Sequence, residues 1–450
     1  MLLCRPILKH RPFHSQKGDL LPMTLARNRF LALLLSLALA LGLLPAAAAA
    51  AAPVVAVKIN GSAASFGSVK PSIIDGRVYL PAAAFAVKLN ATYQVDAKTK
   101  KWVVKRGTRT LGFTPGSVKA TLNGKAYTLA AVPVTKGKDV LVPAASLSDA
   151  LGVWTSWNGS AKTLSVLTQK TVKHAMGSTT LKSVPQRVVV LFNGMVDTSV
   201  LLGVKPVGAV ESYLQQPFYE YLRPSLIGVK DLGDETQPNL EAIAALKPDL
   251  IIGSKLRHEK IDGQLNKIAP TVMTEDVFSW QDNLKFAADV LNKQAKADAF
   301  LAKWASRTAD FKKRMGADIG STEVTVMRIN YNGTARFYLE GFASNILRDL
   351  GFKFPKAQTD VTKDIFNIPS KEQTPLLDAD YIFDFTVDWD GDGAIYKTQK
   401  EWIDNALWSN LRAVKNKKYY KVNAVNWNLS GGPLAADKML DDLYFYFNID

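Results

Sequence analysis

With 450 residues, 47% of them hydrophobic and 21% charged, the chain is too long for one ordinary domain and has the balance of soluble globular material, which excludes a disordered or multispanning protein. The formal charge of +16 makes nucleic acid the reflex partner, yet the lysines are evenly spread and follow a secretion signal, so anionic wall polymers or anionic ligands fit better. The single cysteine, Cys4, lies upstream of that signal and excludes a disulfide framework or a thiolate metal site in the mature chain.

Residues 1–52 read as an extension and signal peptide. Arg27 and Arg29 precede the apolar run Phe30–Leu44, then Pro45 and alanines that offer cleavage sites. The signal occupies about 23–52, with Met1 or Met23 as the start; a single-span anchor is the alternative. Without residues 1–52 the chain keeps 50 Lys and Arg against 39 Asp and Glu, or +11. No lipobox cysteine follows the run. The expected location is therefore extracytoplasmic: secreted, and held at the cell surface or wall.

Residues 54–168 form a small α+β, β-rich unit with an internal repeat. Ile59-Asn60-Gly61 recurs as Leu122-Asn123-Gly124, and Asp75–Val104 recurs as Lys136–Val166. Each copy reads as a strand ending in Leu-Pro or Val-Pro, a short alanine-rich helix and a hairpin, with Pro81 and Pro143 in the first helical turn. These features resemble the copper amine oxidase N-terminal-like domain, a non-catalytic module. Copper chemistry needs histidine ligands, and residues 54–168 contain none. Trp154 and Trp157 read as exposed; they suit either glycan contact or packing within a small β-rich domain.

Residues 170–280 read as an α/β lobe. Val188–Leu191 is an apolar run suited to a strand buried on both faces. A helix from about Met195 stops at Gly203, and Val207–Val210 is extended again. Asn239 caps the next helix, Pro248 ends it, and Leu250–Ile252 is the following strand. Strand–helix–strand units of this length imply a doubly wound sheet with its ligand at the carboxyl ends of the strands.

An apolar stripe through Leu284, Ala288, Leu291 and Ala295 predicts a long spine helix over 281–318, with Asn292 or Asp298 as the weak points. A continuous helix of this length predicts modest lobe closure. Residues 319–450 form a second lobe: strands flanking a Tyr-Asn-Gly turn, a helix from Phe342, a capped helix after Ser370 leading into a strand, and a closing helix Pro433–Tyr446.

The phrases RVVVLFNGMVDTSVLLGVKPVGAV, NLEAIAALKPDLIIG and WNLSGGPLAADKMLDDL occur in this order. Together they resemble the iron-siderophore substrate-binding proteins of ABC importers over roughly Thr171–Asp450. The resemblance implies two Rossmann-like lobes joined by a long helix, the class III periplasmic-binding-protein architecture. It also implies a non-enzymatic, monomeric role: capture of a ferric siderophore, with no resident cofactor, and delivery to an ABC-type permease. A ferric siderophore arrives with its iron already coordinated, so the protein must recognise an oxygen-rich, often anionic shell. The candidates are Arg257, Arg328, Arg336, Tyr338, Trp427 and Tyr213. A surface ion pair is the plainer reading for each arginine, and core packing for Trp427. Three arginines favour a carboxylate-bearing or mixed citrate–hydroxamate ligand. One acidic residue per lobe, Glu259 and Glu372, is implied for docking on the permease, with a solvated helix charge as the alternative.

Asp388–Gly393, DWDGDG, begins like a calcium loop but has Gln399 where a bidentate glutamate is required. The mature chain has only His174 and His258, which disfavours a zinc binder. Haem, cobalamin and bare ferric iron stay open as other ligands for the same fold. An enzyme is disfavoured because nucleophile-elbow, phosphate-loop and zincin motifs are missing and His258-Glu259 is a weak acid–base pair. A wall-attached structural protein rests on the repeat alone.

Overall fold

The first lobe is built on five parallel strands, in spatial order Lys230–Asp231, Gly208–Ala209, Val188–Val190, Leu250–Ser254 and Thr271–Thr274. This computed structural model describes residues 55–449, so the signal peptide, Cys4 and both candidate starts lie outside the described residues. Val188, Val189 and Val190 are fully buried, as a central strand covered on both faces requires. Among the described residues, no helix is long and apolar enough to cross a membrane.

The second lobe also has five strands: Ile365–Ile368, Ala335–Tyr338, Val324–Ile329, Tyr381–Asp384 and Tyr419–Lys421. Its sheet is mixed. Ala335–Tyr338 runs antiparallel to both neighbours, because the tight Tyr331–Gly333 turn leaves no room for a crossover. The capped helix expected after Ser370 is a 3-10 turn, Lys371–Leu377, in which Pro375 cannot supply a ladder N–H.

The spine is two helices rather than one. Trp280–Leu291 ends at Asn292, which adopts φ 56°, and Gln294–Met315 follows. Of the two weak points, Asn292 is where the helix breaks; asparagine tolerates the left-handed conformation better than any residue but glycine. The break is filled by the N-terminal module. Thr155 N–H donates to Asn292 Oδ1 at 3.0 Å, and Asn292 Nδ2 donates to Val153 O at 3.3 Å. Asn292→Gly keeps the conformation but loses both bonds, whereas Asn292→Ala adds left-handed strain. Denaturant melts should therefore show Gly costing about 1 kcal/mol and Ala about 2 kcal/mol. Equal midpoints for both variants and wild type would mean the break is not held this way.

Within the module, the repeats pair through equivalent strands. Arg77–Pro81 lies antiparallel to Asp139–Pro143, and each leads into a helix, Ala82–Lys88 or Ala144–Leu151. Pro81 and Pro143 occupy the N-cap, one position before the first turn. Trp154 was expected to be exposed but is 2% exposed; its indole N–H donates to Val290 O at 2.8 Å and its ring joins the core of the lobes. Arg109, also buried, donates to Asp149 O at 3.1 Å and to Val184 O. The module is thus fastened to the spine rather than tethered to it.

The closing helix Pro433–Phe447 ties the lobes together a second time. Its aromatic end enters the second lobe, where Phe447 lies 4.3 Å from Tyr381 and 5.0 Å from Phe352, centroid to centroid. Its N-terminus is capped from the first lobe by Asp197, on the helix Asn193–Leu201.

Candidate ligand-binding cleft

The carboxyl ends of both sheets face a cleft of about 390 Å³. The first lobe contributes Asn193, Gly194, Tyr213, Glu235, Arg257 and Phe278. The second contributes Arg328, Phe342 and Trp389, and Asn428–Gly431 forms the remaining wall.

Arg257 sits on the four-residue helix Lys255–His258, immediately after the strand Leu250–Ser254. Its Nε donates to Glu235 Oε1 at 3.0 Å. Glu235 is 3% exposed and also accepts from the backbone and side-chain nitrogens of Asn193, at 2.9 and 3.0 Å. A buried carboxylate bound on both oxygens fixes the guanidinium plane. The terminal nitrogens of Arg257 have no hydrogen-bond partner among the described residues. His258 is fully buried, with Nε2 2.8 Å from Glu235 O and Nδ1 3.1 Å from Ser254 N, and burial lowers its pKa. It braces the Glu235 loop against the strand end.

Arg328 enters from the opposite lobe, near the end of the strand Val324–Ile329. Its Nε donates to Asn330 Oδ1 at 3.1 Å, and among the described residues no carboxylate approaches it. Burial first, and then the Arg336 charge, lower its pKa; Tyr338 acts the other way. Arg336 is its direct cross-strand partner, and like charges in that position destabilise a sheet unless something compensates them.

Tyr213 and Trp389 close the cleft from the two lobes, ring edge to face at 6.5 Å. Burial and then the Glu235 charge push the Tyr213 phenol up, so it stays a neutral donor. Trp389 belongs to the DWDGDG loop. There Asp388 accepts from Gly391 N at 3.1 Å, Gly393 N at 2.9 Å and Tyr331 Oη at 3.0 Å, so its carboxylate shapes the turn that presents the indole. Among the described residues, no group of three or more His, Cys, Asp or Glu side chains could hold a metal.

Three of the six expected ligand residues, Tyr213, Arg257 and Arg328, come together here. The other three do not line the cleft. Arg336 stands one strand behind Arg328, its Nε spent on Asn367 Oδ1 at 2.6 Å. Tyr338 is 6% exposed and packs its ring 5.0 Å from Phe385. Trp427 is fully buried against Phe383 at 4.6 Å and donates to Asp442 at 2.8 Å. Its successors do the lining instead: a π-type turn, Val425–Leu429, leads through Ser430 to Gly431 at φ 68°. A Cβ on Gly194 would lie 2.7 Å from Gly431 O, so glycine is required where the lobes meet at the cleft floor. Glu259 and Glu372 are exposed, without a salt-bridge partner among the described residues.

Two α/β lobes, joined by helices and facing each other across a cleft with arginines on both sides, define an extracytoplasmic-type solute-binding protein. Residues 188–425, over half of the chain, match the Periplasmic binding protein family, and the chain belongs to it. Residues 58–166 match the Copper amine oxidase N-terminal domain. The probable siderophore-binding lipoprotein YfiY of Bacillus subtilis is 43% identical over 285 residues, covering 62% of this chain and 87% of that protein. The achromobactin-binding periplasmic protein of Dickeya dadantii is 36% identical over 263 residues, 58% of this chain and 85% of that protein. Staphylococcus aureus SirA complexed with staphyloferrin B superposes with a TM-score of 0.59 at 42% identity, covering 62% of this chain and 99% of SirA.

Proposed function

We propose that this protein captures a ferric siderophore outside the cytoplasmic membrane and delivers it to an ABC-type permease for iron uptake. It acts as a monomeric binding protein, not as an enzyme, and has no resident cofactor. The observation that carries this reading is the pair of guanidinium groups, Arg257 and Arg328, that face one cleft from opposite lobes, their terminal nitrogens without a partner among the described residues. Such forks match carboxylate oxygens on the outside of a ferric chelate, while Tyr213 and Trp389 offer it apolar faces. The related proteins named for siderophores point the same way. Excess positive charge favours an anionic, carboxylate-bearing ligand over a neutral one. Native mass spectrometry with a mixture of iron-loaded chelators tests this: one anionic ferric chelate should be retained at 1:1 stoichiometry. Retention of haem or cobalamin alone would overturn it.

Glu259 and Glu372 are the proposed docking charges, one on each lobe, for arginines of the permease. Exposed charges orient an encounter more than they strengthen it. The double variant Glu259→Ala with Glu372→Ala should bind the ferric chelate as wild type does and yet fail to support iron uptake in cells. Weakened chelate binding would place these residues elsewhere in the mechanism.

A further inference from the structure

A second groove, of about 720 Å³, runs between the N-terminal module and the spine and shares no lining residue with the cleft. Trp157 lies in its wall at 41% exposure, on the strand Trp154–Asn158. The register sets Trp157 opposite Leu164, whose buried side chain also contributes to the groove. Short polar groups share the groove's lining with the indole: Thr155 and Ser156 from the module and Gln294 from the spine, while the Asn292 amide is engaged by Thr155 and Val153. The charges are mixed. Asp149 is taken up by Lys293 at 2.9 Å and Tyr127 at 3.2 Å, which leaves Arg77, Lys296 and Asp298 free of salt bridges among the described residues.

We infer that this groove binds a pyranose-based glycan strand of the cell wall. An exposed indole supplies the flat apolar face on which the C–H side of a sugar ring stacks. Hydroxyl, amide and charged side chains of both signs suit the alternating donors and acceptors of sugar hydroxyls, whereas a purely anionic polymer would call for cations alone. The volume lies within the range of small-ligand sites and admits more than one ring. The groove is preformed, because Trp154 and Asn292 lock its two walls together. The chain would then hold itself on the wall through residues that take no part in lining the cleft.

The test is co-sedimentation of the secreted chain with purified peptidoglycan sacculi stripped of their anionic polymers. Wild type should pellet with them and still do so in about 0.5 M NaCl. Trp157→Ala should weaken binding about tenfold, Trp157→Tyr should restore most of it, and both should keep wild-type affinity for the ferric chelate in the cleft, which reports an intact fold. No sedimentation with stripped sacculi, equal binding by Trp157→Ala, or binding only to unstripped sacculi that salt abolishes would each overturn the inference.

Discussion

Arg328→Ala is expected to raise the dissociation constant for the ferric chelate roughly 5- to 150-fold, the equivalent of about 1–3 kcal/mol. The guanidinium is largely desolvated, its only side-chain bond among the described residues is to Asn330, and it stands directly opposite Arg336. A cation placed at such cost gains most when an anion arrives in a water-poor cleft. Removing it also relieves the repulsion from Arg336, so the variant should be as stable as wild type or slightly more so. Loss of affinity without loss of stability is the distinguishing pattern. Tryptophan fluorescence titration and a denaturant melt on the same preparation measure the two quantities. An unchanged dissociation constant would remove Arg328 from the site.

Asp197→Ala is expected to have the largest effect on stability, about 3 kcal/mol, because it strips four donors at once. Oδ1 accepts from Leu434 N at 2.8 Å; Oδ2 accepts from Ala435 N at 3.1 Å, from Tyr221 Oη and from Ser430 Oγ. The carboxylate, on the first lobe, caps a helix of 15 residues at its N-terminus, where the helix dipole favours negative charge. Burial nevertheless dominates and raises its pKa from 3.8 to about 6. The groups facing it are Tyr221, whose own pKa is raised, and beyond that ring Lys438, 5.4 Å from its centroid.

The native state therefore holds this proton to higher pH than the unfolded chain. Between pH 3.8 and about 6 it binds more protons, so the contribution of Asp197 to stability falls as pH rises through that window and is constant above it. Asp197→Asn carries no titratable proton there and should lose that component of the pH dependence, which a series of melts at successive pH values would resolve. An identical pH profile in wild type and Asp197→Asn would show that Asp197 does not titrate in this window.

Much of the lobe architecture was legible because its signals are local. Val188–Leu191 is apolar throughout, Gly203 and Pro248 punctuate the helices, and Asn239 caps as expected, accepting from Ala242 N at 2.8 Å. Arg257, Arg328 and Tyr213 were legible as cleft-lining candidates because each stands near the end of a strand, where an α/β sheet presents ligand contacts. What sequence could not supply is partnership. Glu235 reads as one more loop carboxylate until tertiary structure sets it against Asn193 and Arg257. Trp389 was hidden inside a phrase resembling a calcium loop. Trp427 lies in the right phrase but at the wrong register, since the π-type turn directs its ring into the core and leaves Asn428–Gly431 on the wall. The spine break was legible as a weak point at Asn292, but not its cause, because the strand that fills it comes from another part of the chain.

The central claim is that two lobes hold an iron complex by its organic shell and never touch the ion. Calorimetric titration with one anionic chelator loaded with Fe³⁺ or with Ga³⁺, beside bare Fe³⁺, tests it most directly. The two loaded forms share shape and charge, so they should bind with equal affinity while bare iron gives no saturable heat. Tight binding of bare Fe³⁺, or a large preference between the two loaded forms, would contradict the account.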